Sequence, residues 1–162
     1  MVMVVTAIAA FSSFPAMGDD VLRFDVTGVI TPACDLAADQ ARIDLGVLSA
    51  SDLVAVGATG GWHPVAFSLI DCVGASRAQV TVRAPAEPGD PRYLRAFGGA
   101  QGVAIELRSG AGKAILPDGA TPVPFDVAGP APELRFEARY VRVGPLVAGE
   151  ARARALVQIT WE

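Results

Sequence analysis

Short stretches of alternating apolar and polar residues, separated by glycine and proline, recur from residue 20 to the end of the chain. A period of two predicts β-strands with one buried face, because successive side chains on a strand point to opposite sides. Glycine (17 residues) and proline (12 residues) mark the turns between the stretches, and no window has a sustained helical period. The sequence therefore predicts an all-β domain. The predicted strands cover residues 22–27, 41–46, 64–72, 78–83, 102–107, 122–127, 133–143 and 154–162.

The spacing of these strands is typical of an immunoglobulin-like β-sandwich, and 162 residues are enough for one domain with a real core. Residues 85–91 contain three prolines and a glycine and are predicted to be a loop, and residues 109–112 a hairpin turn. Residues 122–127 are predicted to form an edge strand, since their two prolines cannot donate to a ladder. The chain ends inside its last predicted strand, so that strand lacks a neighbour on one side unless another segment supplies it.

The first eighteen residues are predicted to be a secretory signal peptide. The apolar run 2–11 is too short to span a bilayer, and Ala16 and Gly18 put small residues at the cleavage positions, which predicts a mature start at Asp19. No Lys or Arg precedes the apolar run, and a buried N-terminal strand or helix is the alternative. The mean hydropathy of +0.42 has two explanations, either this segment with an alanine-rich composition or an apolar surface for a partner.

The stretch before the first cysteine has one apolar side, formed by Leu22, Phe24 and Val26, and it ends at Gly28. This alternation predicts a half-buried strand. A strand this close to the mature N-terminus either packs on its own domain or reaches out to another one, and the two alternatives imply different functions.

Cys34 and Cys72 are the only cysteines, and they follow the predicted signal peptide. The sequence therefore predicts a disulfide formed in an oxidising compartment, which stabilises the fold by roughly 4 kcal/mol in the chain-entropy model. One histidine, His63, is too few to build a metal site with two distant cysteines. No catalytic motif is recognisable, so we expect neither enzyme activity nor a cofactor. A net charge of −4 with scattered basic residues argues against a nucleic-acid partner.

Taken in order, these landmarks resemble the pilin subunits of chaperone–usher fimbriae of the type 1 and P pilus kind. The likeness includes Gly149, fourteenth from the end, and a penultimate aromatic, Trp161 where tyrosine is usual. The interval from Gly28 to Cys34 is one residue shorter than in common members, and the short leader before Gly28 is more like a minor or tip-adaptor subunit. The likeness rests on residues 27–34, 44–46, 67–72, 102–107, 136–140 and 157–162.

The resemblance implies an incomplete immunoglobulin-like sandwich that lacks its last strand: a signal peptide (1–18), a donor-strand extension (19–28) and a pilin domain (29–162). By resemblance, Leu22, Phe24, Val26 and Gly28 are donor residues that complete a neighbouring subunit. Val157, Ile159 and Trp161 border the acceptor groove, and Glu162 ends in a carboxylate that basic residues of a periplasmic chaperone hold.

The implied partners are that chaperone, an outer-membrane usher and other pilin subunits, with a host receptor contacted only indirectly. The chain would be exported through the periplasm to a fimbria on the cell surface, where it supports adhesion. The alternative is a secreted single-domain adhesive or carbohydrate-binding β-sandwich whose own N-terminal strand completes its sheet. Expression with and without a chaperone separates the two.

Overall fold

A computed structural model of the chain describes residues 24–162, which form nine β-strands and one short 3-10 helix, Ala50–Asp52. The predicted signal peptide and Leu22 lie outside the described residues. The strands are β1 (Ala33–Leu36), β2 (His63–Val73), β3 (Arg77–Arg83), β4 (Ala86–Glu87), β5 (Asp90–Arg95), β6 (Gln101–Ser109), β7 (Val123–Asp126), β8 (Glu133–Val147) and β9 (Leu156–Trp161).

The strands form two antiparallel sheets. The larger sheet has the order β1-β2-β8-β6-β5-β4, and the smaller has the order β7-β3-β9. Buried apolar residues of both sheets belong to one cluster, so the sheets pack face to face around a single core. The predicted all-β, immunoglobulin-like sandwich is confirmed.

The predicted alternation fixes the inner rows of the strands. In β8, Leu134, Phe136 and Ala138 are buried, whereas in β3 Ala78 and Val80 have no exposed surface at all. The Phe136 ring packs against aromatic rings from both β2 and β7 at centroid distances of 5.7 and 5.0 Å. Aromatic contacts of this kind add to the stabilisation that burial gives.

The predicted strands at 64–72, 78–83, 102–107, 122–127, 133–143 and 154–162 correspond to β2, β3, β6, β7, β8 and β9. Two predictions for residues 29–162 are wrong. Residues 41–46 form no strand, because no described strand pairs with them, although Ile43 and Leu45 still pack on the core. The predicted loop at 85–91 contains β4 and the start of β5, which pair as a short hairpin at the sheet edge, where proline is tolerated.

The N-terminal part of the described chain is not a strand either. Residues 24–32 have no regular secondary structure, and the first strand, β1, begins at Ala33 and was not predicted. β1 pairs with the end of β2, and a disulfide joins Cys34 to Cys72 across this pair. The predicted disulfide is confirmed, and it fastens the segment that follows the N-terminal extension to the larger sheet.

Candidate assembly site at the open edge of the smaller sheet

One long edge of the smaller sheet is open. β9 pairs with β3 along its whole length, from Leu156 opposite Arg83 to Trp161 opposite Ala78. Its other edge has no strand partner among residues 24–162. An unpaired edge presents a row of main-chain N–H and C=O groups to any strand that can approach it.

The core is also uncovered beside this edge. Val157, Ile159 and Trp161 lie opposite Val82, Val80 and Ala78 of β3, which are completely buried. Ile159 and Trp161 are only half-buried against the core, and Val157 is 41% exposed. An inward-facing residue of β9 would be buried if the larger sheet covered it. We call the uncovered apolar strip that Val157, Ile159 and Trp161 form along β9 the open side. Other half-buried apolar residues that pack on the core include Ile43, Leu45, Val65, Phe67 and Tyr140.

The open side is apolar, whereas charged pairs lie on the outer face of the larger sheet. Arg108 pairs with Glu137 at 2.5 Å, and Arg139 pairs with Glu106 at 2.6 Å. Both guanidinium groups also lie over the Trp62 ring, 3.8 and 4.2 Å from its centroid. These contacts join β6 and β8 to the residue before β2 and explain why Trp62 stays on the surface without lining the core.

The predicted donor residues that the structure describes are exposed in their own chain. Phe24 and Val26 are 78% and 84% exposed, and a methyl group built on Gly28 would meet no atom within 4 Å. Leu22 lies outside the described residues. Of the two alternatives for this stretch, packing on its own domain is therefore not observed for residues 24–28.

Glu162 is bound at the opposite end of β9 from Leu156. Its main-chain oxygen accepts hydrogen bonds from the N–H groups of Ser76 and Arg77, at 2.8 and 3.0 Å, and its own N–H donates to the Arg77 carbonyl at 2.8 Å. The side chain accepts a hydrogen bond from Gln79 at 3.4 Å. These contacts hold the last residue of the chain in the smaller sheet.

Gly149 does not line the open edge. It lies in the connection from β8 to β9, where a Cβ atom would come within 2.5 Å of the carbonyl carbon of Gly99 and 2.6 Å of the nitrogen of Ala100. Two main chains meet there, since Phe97 and Arg152 exchange hydrogen bonds of 2.8 and 2.9 Å. The glycine permits this close approach.

Tyr140 is a further half-buried residue on the core that the sequence motifs did not single out. Its hydroxyl donates a hydrogen bond of 3.4 Å to the Ala151 carbonyl. Burial, with a smaller contribution from the negative charge of Asp44, raises the pKa of Tyr140 above its ordinary value. The alternation of apolar and polar residues at 41–46 and 133–143 was the sequence signal for these side chains, because it places Ile43, Leu45 and Tyr140 in inward rows.

We expect Tyr140 to ionise at a pH higher than the usual value of about 10. Because the folded chain favours the neutral phenol, its contribution to stability is present below the unfolded pKa and is lost as the pH rises through the raised one. The difference in alkaline absorbance titration between the chain and Tyr140→Phe isolates this group from Tyr93, the other tyrosine. A difference curve centred at or below the ordinary value would contradict the burial of Tyr140.

The described part of the chain contains no metal-binding cluster and no membrane-spanning helix. No group of His, Cys, Asp and Glu in residues 24–162 is placed to hold a metal ion. Over the same range, no helix is long and apolar enough to cross a membrane. What the open edge does offer is main-chain pairing beside apolar side chains.

The sequence of the chain matches the model of a known protein family. The family model described as fimbrial protein matches residues 22–162. The chain belongs to the fimbrial protein family. This fimbrial chain is 28% identical to protein FimG of Escherichia coli (strain K12) over 160 residues, which cover 98% of the chain and 93% of FimG. It is 28% identical to protein LpfE of Salmonella typhimurium (strain LT2) over 170 residues, covering 100% and 94%.

A solved structure shows the same fold. The crystal structure of the P pilus rod subunit PapA is 23% identical and superimposes with a TM-score of 0.67, covering 80% of this chain and 99% of PapA. The resemblance to chaperone–usher pilins predicted from the sequence is confirmed. The chain is a structural subunit of a fimbria, an appendage of the cell surface, in a family whose members assemble with other pilin subunits.

Proposed function

We propose that this fimbrial subunit is polymerised by donor-strand exchange, in which residues 19–28 of one subunit complete the smaller sheet of another. One observation carries the proposal: the same chain has an unpaired β9 edge over an uncovered core and an exposed extension with alternating apolar residues. Strand addition at a sheet edge uses ladder hydrogen bonds for affinity and alternate side chains for specificity.

The other sheet edges are poor acceptors. β7 carries Pro124, which cannot donate to a ladder, and β4 is two residues long. β1 has four residues and an irregular register between Ala33 and Asp35. Short, irregular or proline-containing edges are the usual protection against unwanted strand pairing. β9 has six residues, lacks proline and is regular along its length.

In this mechanism Leu22, Phe24 and Val26 enter the open side beside Val157, Ile159 and Trp161, and Gly28 allows the two main chains to approach. Burial of three large apolar side chains favours the joint by about 5–9 kcal/mol before ordering costs. An antiparallel orientation fits best, because every strand pair in residues 24–162 is antiparallel.

Before assembly, an exposed edge beside an uncovered core is an aggregation hazard. We infer that a periplasmic chaperone lends a strand to β9 and holds the carboxylate at Glu162 with basic residues, and that an outer-membrane usher then receives the subunit. Export uses residues 1–18 as a signal peptide. The subunit has no catalytic role and meets a host receptor only through the assembled fimbria.

We expect the full chain to accumulate in a bacterial periplasm only when its cognate chaperone is expressed with it, as a stable complex of the two proteins. Without the chaperone, the open edge should lead to aggregation or degradation. The measurement is the soluble yield and the mass of the purified species. A folded monomer produced equally well without the chaperone would overturn the proposal and favour a self-sufficient secreted adhesive module.

A further inference from the structure

A well-anchored loop at one end of the sandwich displays apolar side chains. Val47, Val54 and Val56 are exposed, Val54 by 78%, and we call them the loop patch. The segment between them is firmly held: the side chain of Leu53 is buried, and its carbonyl accepts a hydrogen bond of 2.9 Å from Arg142. Exposed apolar residues on an ordered loop are typical of a contact surface.

A second apolar surface lies at the opposite end of the sandwich. Ile70 and Val73, at the end of β2, are 47% and 69% exposed, and we call them the root patch. Val73 pairs with Ala33, the first residue of β1, so this patch lies beside the strand that follows the N-terminal extension. The disulfide from Cys34 to Cys72 fixes it there.

The two patches are too far apart to meet within one chain. The loop patch lies beside Arg142 of β8, whereas the root patch lies beyond Ser68, which is paired with Glu133 at the other end of that strand. Arg142 follows Glu133 by nine positions in β8, which is roughly 30 Å at the usual rise along a strand. Any contact between the patches must therefore join two molecules.

We propose that the loop patch docks on the root patch of a second copy of this chain, as a side contact next to each strand joint. The inference rests on the proposed function. A donor strand that pairs antiparallel with β9 leaves the acceptor beside Leu156, at the start of β9. Shortly before this point in the chain, Arg152 is hydrogen-bonded to Phe97, at the same end of the sandwich as Arg142. The donor's own domain begins close by, because residues 28–34 span at most about 20 Å.

Such a contact is heterologous: each copy uses its loop patch toward one neighbour and its root patch toward the other, which gives an open chain of subunits. Both patches are aliphatic, so they gain from mutual burial and require no charge pairing. The contact would fix the orientation of consecutive subunits. The inserted donor strand alone leaves that orientation variable, because it is joined to its own domain by the connector at residues 28–34.

The test is disulfide trapping in the assembled full chain carrying Val54→Cys and Val73→Cys together. A matched control carries Ala66→Cys with Val73→Cys, because Ala66 is exposed in the middle of β2, away from both patches. Fibres assembled with the chaperone and the usher are oxidised, boiled in detergent to separate the subunits at the inserted donor strands, and run on a gel without reductant. We expect a ladder of cross-linked copies about tenfold stronger than in the control, since neighbouring patches have a high effective concentration.

The outcomes separate this contact from the proposed function. If the double-cysteine fibres give no ladder above the control, the contact is overturned and donor-strand exchange stays intact. If the unsubstituted chain forms no fibres, both are overturned. If the added cysteines disturb the native disulfide, charge variants replace them. Val54→Asp should lower the assembled fraction about tenfold, the effect of roughly 1.4 kcal/mol, and Val73→Lys in the same chain should restore it. Failure of the restoration also overturns the contact.

Discussion

Replacing Phe24 by arginine is expected to abolish assembly of the subunit into fibres while leaving its own fold intact. Phe24 is 78% exposed in its own chain, so the substitution removes no contact that stabilises the subunit. In the proposed joint, the variant loses the burial of an aromatic side chain, about 1.5–3 kcal/mol, and places a charge against the core of the neighbour, which costs several more. A total of about 5 kcal/mol corresponds to a joint weakened a thousandfold or more.

The matched control is Thr27→Arg, in the same extension and with the same added charge, but on the side that faces away from the apolar row. Both variants are expressed with the chaperone and the usher, and two quantities are compared: the yield of the chaperone-bound subunit and the length of surface fibres in electron micrographs. We expect equal yields, with fibres only for Thr27→Arg. Normal fibres from Phe24→Arg would show that Phe24 is not a donor residue.

Alternation in the sequence predicts which side chains face the core, since it depends only on the geometry of each strand. It places Leu134, Phe136 and Ala138 in one buried row, and the structure does the same. Alternation does not predict which segments pair as strands. Ile43 and Leu45 pack on the core as their alternation predicts, yet they form no strand, because a strand needs a hydrogen-bonded neighbour that the described chain does not supply.

The outer face of the larger sheet could not be predicted. Val141 is on the side of β8 that should face solvent, yet it is buried, and the segment before β2 lies beside it, with Thr59 paired to Val141 in an antiparallel bridge. Ala104, its partner in β6, is completely buried as well. Glycine and alanine in residues 57–61 gave no apolar period, so the sequence indicated only a loop. Long-range docking of this kind depends on tertiary contacts that local patterns do not encode.

The predicted donor and acceptor residues also differ in how far the sequence alone determines their placement. Val157, Ile159 and Trp161 come together on one strand because a period of two suffices to align them. Whether Phe24 and Val26 pack on their own domain or on another depends on the free energy of two alternative pairings, and the sequence left both open. In the structure, Phe24 and Val26 are exposed and leave the core uncovered along β9.

Gly149→Ala is expected to destabilise the subunit itself. The added Cβ would lie 2.5 and 2.6 Å from main-chain atoms of Gly99 and Ala100, and main chain cannot move aside as a flexible side chain can. The Ala100 N–H donates to the Glu150 carbonyl at 3.0 Å, so relief of the clash also stretches the bonds that join the two segments. Overpacking and lost hydrogen bonds together should lower the free energy of unfolding by about 2–4 kcal/mol.

This connection carries the chain from β8 in the larger sheet to β9 in the smaller one, so its displacement should also disturb the open edge. The control is Gly61→Ala, because a Cβ atom there meets nothing within 4 Å and the backbone is not left-handed. We expect the control to change the free energy of unfolding by no more than about 0.5 kcal/mol. Urea unfolding of the two variants, each in its complex with the chaperone, measures both. Equal midpoints for the two variants would show that Gly149 is not required for the close approach, and that its place near the C-terminus has another cause.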